Sequence, residues 1–90
     1  MKEAFYYLMA FDTTTASMQG ELHAKEVFEV AMMPVPREVT SGCGLAVRFR
    51  SGTEDEIIEF CKQIPVNGSL YKMQTTRVDG RHSIEKLLSF

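Results

Sequence analysis

The chain has 90 residues, 44% hydrophobic and 24% charged, with a formal net charge of -2, which fits one folded domain over residues 1–90 and excludes a disordered chain. Its ten basic residues are scattered rather than gathered in a run, so no nucleic-acid partner is expected. No stretch approaches the ~20 apolar residues of a membrane span, so the expectation is a cytoplasmic protein with no membrane partner.

Residues 5–11 are aromatic or apolar almost throughout, the pattern of a central strand covered on both faces. The run is too short for a signal peptide and ends in Asp12 without a small-residue cleavage site. Asp12, Thr13, Thr14 and Thr15 are helix N-cap types, and residues 16–26 contain good helix formers, with Met18 and Leu22 one turn apart on a common face. Gly20 inside that helix costs about 1 kcal/mol against alanine, yet a residue without a side chain lets the helix sit close to a sheet. β-branched and apolar residues return at 27–33, and Pro34 and Pro36, which cannot donate to a ladder, end that second strand.

Residues 45–50 then place Leu45, Val47 and Phe49 on one face and Arg48 and Arg50 on the other, giving a third strand paired with the second across a long connection. Thr53 caps a second helix whose first turn carries Glu54, Asp55 and Glu56 and whose stripe is Ile57, Phe60, Cys61 and Ile64, ended by Pro65 and Asn67-Gly68. Residues 70–78 read as a fourth strand, polar enough on alternate positions to lie at an edge, and residues 83–90 as an amphipathic turn or two that docks on the sheet or frays. The order β-α-β-β-α-β predicts an α+β ferredoxin-like split βαβ sandwich, a four-stranded antiparallel sheet with two helices on one face. Its core spans residues 4–78, and residues 79–90 form a C-terminal extension.

Chemistry concentrates in the long connection Pro34-Val35-Pro36-Arg37-Glu38-Val39-Thr40-Ser41-Gly42-Cys43-Gly44. A thiol between two glycines is open to approach, and Arg37 and Arg48 supply positive potential that favours thiolate, lowering a free-thiol pKa of about 8.5. Gly42 and Gly44 permit successive N–H groups to curl into an anion-binding nest, and Thr40 and Ser41 add hydroxyl donors. The plainer alternative is that the glycines serve a tight turn, the arginines are solvated charges, and Thr13 and Thr14 only cap a helix rather than also welcoming an anion. Cys61 reads as a small buried hydrophobe.

Cys43 and Cys61 are expected as free thiols in a reducing compartment, with a disulfide between them disfavoured there. There is no Cys-x-x-Cys, and His23 and His82 stand alone, so no metal site and no cofactor are expected. The absence of a second cysteine two residues away argues for transfer to another protein and against a stand-alone thioredoxin-like enzyme. No Walker loop, nucleotide fingerprint, paired-carboxylate site or Ser-His-Asp set is present.

The sequence resembles the selenium/sulfur carrier-like family of small cytosolic bacterial domains over most of its length, from the first strand through the Thr13-Thr14 helix start to the fourth strand, with the specificity carried by residues 34–49. Arg37, Ser41, Gly42, Gly44 and Arg48 match its motif around Cys43, and Thr13 and Thr14 match the helix start opposite the loop. Gly20 and His23 depart from the alanine- and leucine-rich helix usual in such domains, and the residues from Asp79 onward are unmatched. The resemblance implies that Cys43 carries sulfur or selenium, as a persulfide or selenosulfide, between a donor enzyme and an acceptor protein. The alternative from another class is a non-catalytic ligand- or protein-binding module, a homodimer through its sheet or an edge strand, with the cysteine loop as its binding site. Metal delivery through Cys43 of two subunits would need more ligands than the sequence offers.

Overall fold

The computed structural model describes residues 5–36, 39, 44–78 and 81–90. Along the chain lie β1 (Phe5–Ala10), α1 (Thr14–Lys25), β2 (Val30–Pro34), β3 (Leu45–Phe49), α2 (Glu54–Gln63), β4 (Ser69–Val78) and β5 (Arg81–Ser89). The sheet has five strands in the order β2-β3-β1-β4-β5, with every neighbouring pair antiparallel.

This corrects the expected four-stranded ferredoxin-like sandwich: the sheet has a fifth strand, and β4 is flanked by β1 and β5 rather than lying at an edge. Residues 83–90, expected as an amphipathic turn or two that docks or frays, instead belong to β5 as far as Ser89, and a bulge disguises them. Leu70 pairs Leu88 but Tyr71 pairs Lys86, so the register slips by one residue at Leu87. Leu87 and Leu88 therefore both pack toward the helices, while Ile84 packs on the opposite face. The resulting apolar spacing of 84, 87 and 88 imitates a helical stripe and hides the strand alternation.

β1 occupies the middle of the sheet, as a strand without a polar face requires. Met9 and Phe11 join the core under the helices, and Leu8 and Ala10 join a second cluster on the helix-free face. All four are buried.

Thr13 caps α1, its Oγ1 accepting from the Ala16 N–H at 3.1 Å. The helix then turns small residues inward, burying Ser17, Gly20 and Ala24 while leaving Met18 and Leu22 exposed. Gly20 is what permits this seat, because a Cβ there would lie 2.4 Å from Cζ of the buried Phe11 ring.

α2 begins in a reciprocal capping box: Glu56 N–H donates to Thr53 Oγ1, and the Glu56 carboxylate accepts from Thr53 N–H at 2.9 Å. Its buried side chains are Ile57 and Cys61. The Tyr7 hydroxyl donates to Glu54 Oε1 at 3.0 Å and ties the start of α2 to β1. Phe28, Phe49 and Phe60 meet edge to face, with centroid separations of 5.3, 5.5 and 6.1 Å, and fill the space under α2.

Candidate functional site

The β2–β3 connection leaves the sheet where β1 also ends. Pro34 pairs Leu45, Ala10 pairs Ala46, and Ala10 also pairs Ser69, so the C-terminal ends of β1 and β2 and the first residues of β3 and β4 lie at one end of the sheet. Thr13, the N-cap of α1, follows only three residues after Ala10. The topology therefore brings the helix start carrying Thr13 and Thr14 to the same sheet end as the cysteine loop. Thr14 opens the helix at the positive end of its dipole and is exposed.

The stems of the loop are closed by one backbone bond, from Val35 N–H to the Gly44 carbonyl at 3.0 Å. Gly44 has a φ of +75°, and among the described residues nothing lies within 4 Å of where a Cβ would stand. Glycine is needed there for its backbone conformation, not to make room for a neighbour. Further along, Val39 N–H donates to the Pro36 carbonyl at 3.0 Å, closing a turn. Val39 itself is 6% exposed and joins Leu8, Ala10, Ala46 and Met73 on the helix-free face. The loop is thus pinned at its middle by an apolar side chain. The one signal of this anchor in the sequence is that Val39 is the β-branched apolar residue between Pro36 and Leu45.

Cys43, Arg37, Thr40, Ser41 and Gly42 lie outside the described residues. Arg48, expected beside the thiol, stands on β3 opposite Leu8, roughly 10 Å of strand from the loop stem at Leu45. Its guanidinium carbon sits 4.2 Å from the centroid of the Tyr6 ring, and Tyr6 lies farther from the loop end of β1 than Leu8 does. The Tyr6 hydroxyl in turn donates to Met73 Sδ at 2.9 Å. Arg48 therefore places positive charge on the same sheet face as Val39 while stacked on an aromatic ring, a geometry suited to guanidinium. Tyr6, which holds it, carried no signal in the sequence beyond its place in an apolar run.

The second thiol is different in kind. Cys61 is 1% exposed within the helix-side core, and burial pushes its pKa up to about 12. At neutral pH it is a neutral thiol without access to solvent, incapable of nucleophilic attack. His23, on the last turns of α1, borders a cavity with Leu22, Lys25, Glu26 and Pro65.

Among the described residues no group of three or more His, Cys, Asp or Glu side chains is placed to hold a metal ion. No described helix is long and apolar enough to cross a membrane. No curated protein and no solved structure matches the chain. A family model does match, over residues 6–71, from β1 through the loop and both helices into β4 and short of β5. The chain therefore belongs to the family described as Putative Se/S carrier protein-like.

Proposed function

We propose that the protein is a sulfur or selenium carrier of the cytoplasm, holding the transferred atom on Cys43 as a persulfide or selenosulfide. In loading, the Cys43 thiolate attacks the terminal sulfur of a donor enzyme's persulfide. The donor's S–S bond breaks, its thiolate leaves, and a new S–S bond remains on Cys43, so electrons balance without an outside oxidant. Delivery repeats the step in the other direction: a nucleophile on an acceptor protein takes the terminal atom and expels the Cys43 thiolate. Selenium follows the same exchange, with Se in the terminal position.

The observation that carries this reading is family membership together with the way the loop is held. Its stems are closed by the Val35–Gly44 bond at the sheet end that also carries the N-terminus of α1. A terminal persulfide is an anion and would need stabilising groups around it. In the proposal, Gly42 and Gly44 contribute backbone N–H groups, Thr40 and Ser41 contribute hydroxyl donors, and Arg37 contributes positive charge. Arg48 adds positive potential from the sheet face, and Thr13 and Thr14 present the positive end of the α1 dipole.

The test is intact mass spectrometry after incubation with a cysteine desulfurase and cysteine. Wild type and Cys61→Ala should each gain the mass of one sulfur atom, removable by dithiothreitol, and Cys43→Ala should gain none. No gain on wild type, or a gain that survives Cys43→Ala, removes the proposal.

A further inference from the structure

Among the described residues the exposed large hydrophobic side chains are Met18, Leu22 and Val27, at 57, 61 and 64% exposure, spread over α1 and the turn after it. Two cavities lie against this stretch. One, about 510 Å³, is lined by Val27 and Phe28 on one side and by Glu56, Glu59 and Phe60 of α2 on the other. The other, about 610 Å³, is lined by Leu22 and Glu26 of the α1 end and by Pro65, just past α2. Both are walled by the C-terminal part of α1 and its exit on one side and by α2 and its exit on the other. The floor of the first is rigid, since Phe28 and Phe60 are each locked edge to face against Phe49 and one another.

We infer that this interhelical groove docks an amphipathic helix of a partner protein, one with aliphatic anchors flanked by lysine or arginine. The apolar floor and the exposed Leu22 and Val27 suit the anchor side chains of a helix-in-groove contact. The rim fixes the charge of the occupant: the two linings carry three carboxylates, Glu26, Glu56 and Glu59, against the single ammonium of Lys25. Elsewhere on α2, Glu54 is engaged by the Tyr7 hydroxyl and Asp55 is offset by Lys62, so the rim charge rests on the three lining carboxylates. An acidic helix would meet like charge, and a basic one would be drawn in and oriented. The groove lies on the helix side of the sheet, whereas Val39 pins the cysteine loop to the helix-free face. A partner seated here leaves the loop open, and the inference stands whether or not Cys43 carries sulfur.

The test uses the full chain carrying Cys43→Ala, so that binding is read without thiol chemistry, and two synthetic helical peptides with the same leucine stripe, one flanked by lysine and the other by glutamate. Titration by fluorescence anisotropy should show the lysine peptide binding at least about tenfold tighter, weakening as salt rises. NMR shifts should map to Leu22, Val27, Glu59 and Phe60. Val27→Ser and Glu59→Lys, both at exposed positions that leave the fold intact, should each weaken binding by about tenfold. Equal affinity for the two peptides, shifts confined to the helix-free face, or no binding overturns the proposal. So does concentration-dependent self-association that Leu22→Ser abolishes, which would assign the groove to a second copy of this chain.

Discussion

Replacing Gly20 by alanine sets two effects of similar size against each other. In an unpacked helix the change gains about 1 kcal/mol from reduced chain entropy in the unfolded state. Here the new Cβ would meet three carbons of the Phe11 ring at 2.4, 2.9 and 3.1 Å, where carbon atoms prefer about 3.5–4.0 Å. The ring has little room to retreat. It is 1% exposed, it also lies so close to Gly68 that a Cβ there would come within 2.8 Å of it, and the Phe90 ring stands edge-on at 6.0 Å. Overpacking of this kind costs about 1–3 kcal/mol, and an overlap of more than an ångström belongs in the upper part of that range. The net expectation is a loss of about 1 kcal/mol, which for a domain of this length lowers Tm by about 4–8 °C. Thermal and urea unfolding followed by circular dichroism would read it, with a lower urea midpoint and an unchanged m-value. In a Phe11→Leu background the obstructing ring is gone, so the same glycine-to-alanine change should become neutral or stabilising. A Gly20→Ala protein as stable as wild type, or an equal loss in both backgrounds, would refute the close-approach argument.

Three further outcomes follow from the same geometry. Thr53→Ala removes one half of the α2 capping box and should cost about 1 kcal/mol in urea unfolding, with no change in cysteine reactivity. Iodoacetamide at neutral pH should label Cys43 in the native protein and Cys61 only after denaturant is added, because Cys61 is buried and its pKa lies near 12; labelling of native Cys61 would contradict its burial. Stability should also fall in alkali. Burial raises the Cys61 pKa from an ordinary 9.0 to about 12, and burial, followed by the bond to Glu54, raises that of Tyr7 from 10.0 to about 12. The folded state keeps both protons after the unfolded chain has released them, so the contribution is complete below about pH 9 and is lost as pH rises toward 12. Urea midpoints in Cys61→Ala should therefore decline less between pH 9 and 10 than in wild type; parallel declines would count against the assignment.

Much of this fold is legible in the residues because single constraints dominate locally. The unbroken apolar run of β1 demands cover on both faces, and the Thr53 to Glu56 spacing announces the start of α2. Legibility fails where two constraints compete. In α1 the larger side chains Met18 and Leu22 face out because Phe11 already fills the space beneath, and only Ser17, Gly20 and Ala24 are small enough to lie against it. In β5 one bulge sends two adjacent leucines the same way and erases the alternation of a strand. The site follows the same rule. Its loop stands out by composition, since prolines, glycines and a cysteine interrupt apolar strands. The tether through Val39 and the stacking of Arg48 on Tyr6 depend on which sheet face the chain crosses, and that is settled only by strand order.

The two feet of the cysteine loop rest on strands of unequal tenacity. β3 is hydrogen-bonded on both sides and buries Ala46, Val47 and Phe49. β2 is an outermost strand of five residues, half-buried at best, ending in a proline that has no amide hydrogen to give. Local opening should begin there, well before the sheet as a whole lets go. A binding protein that peels β2 outward would loosen the connection only as far as Val39, whose side chain still ties it to the helix-free face.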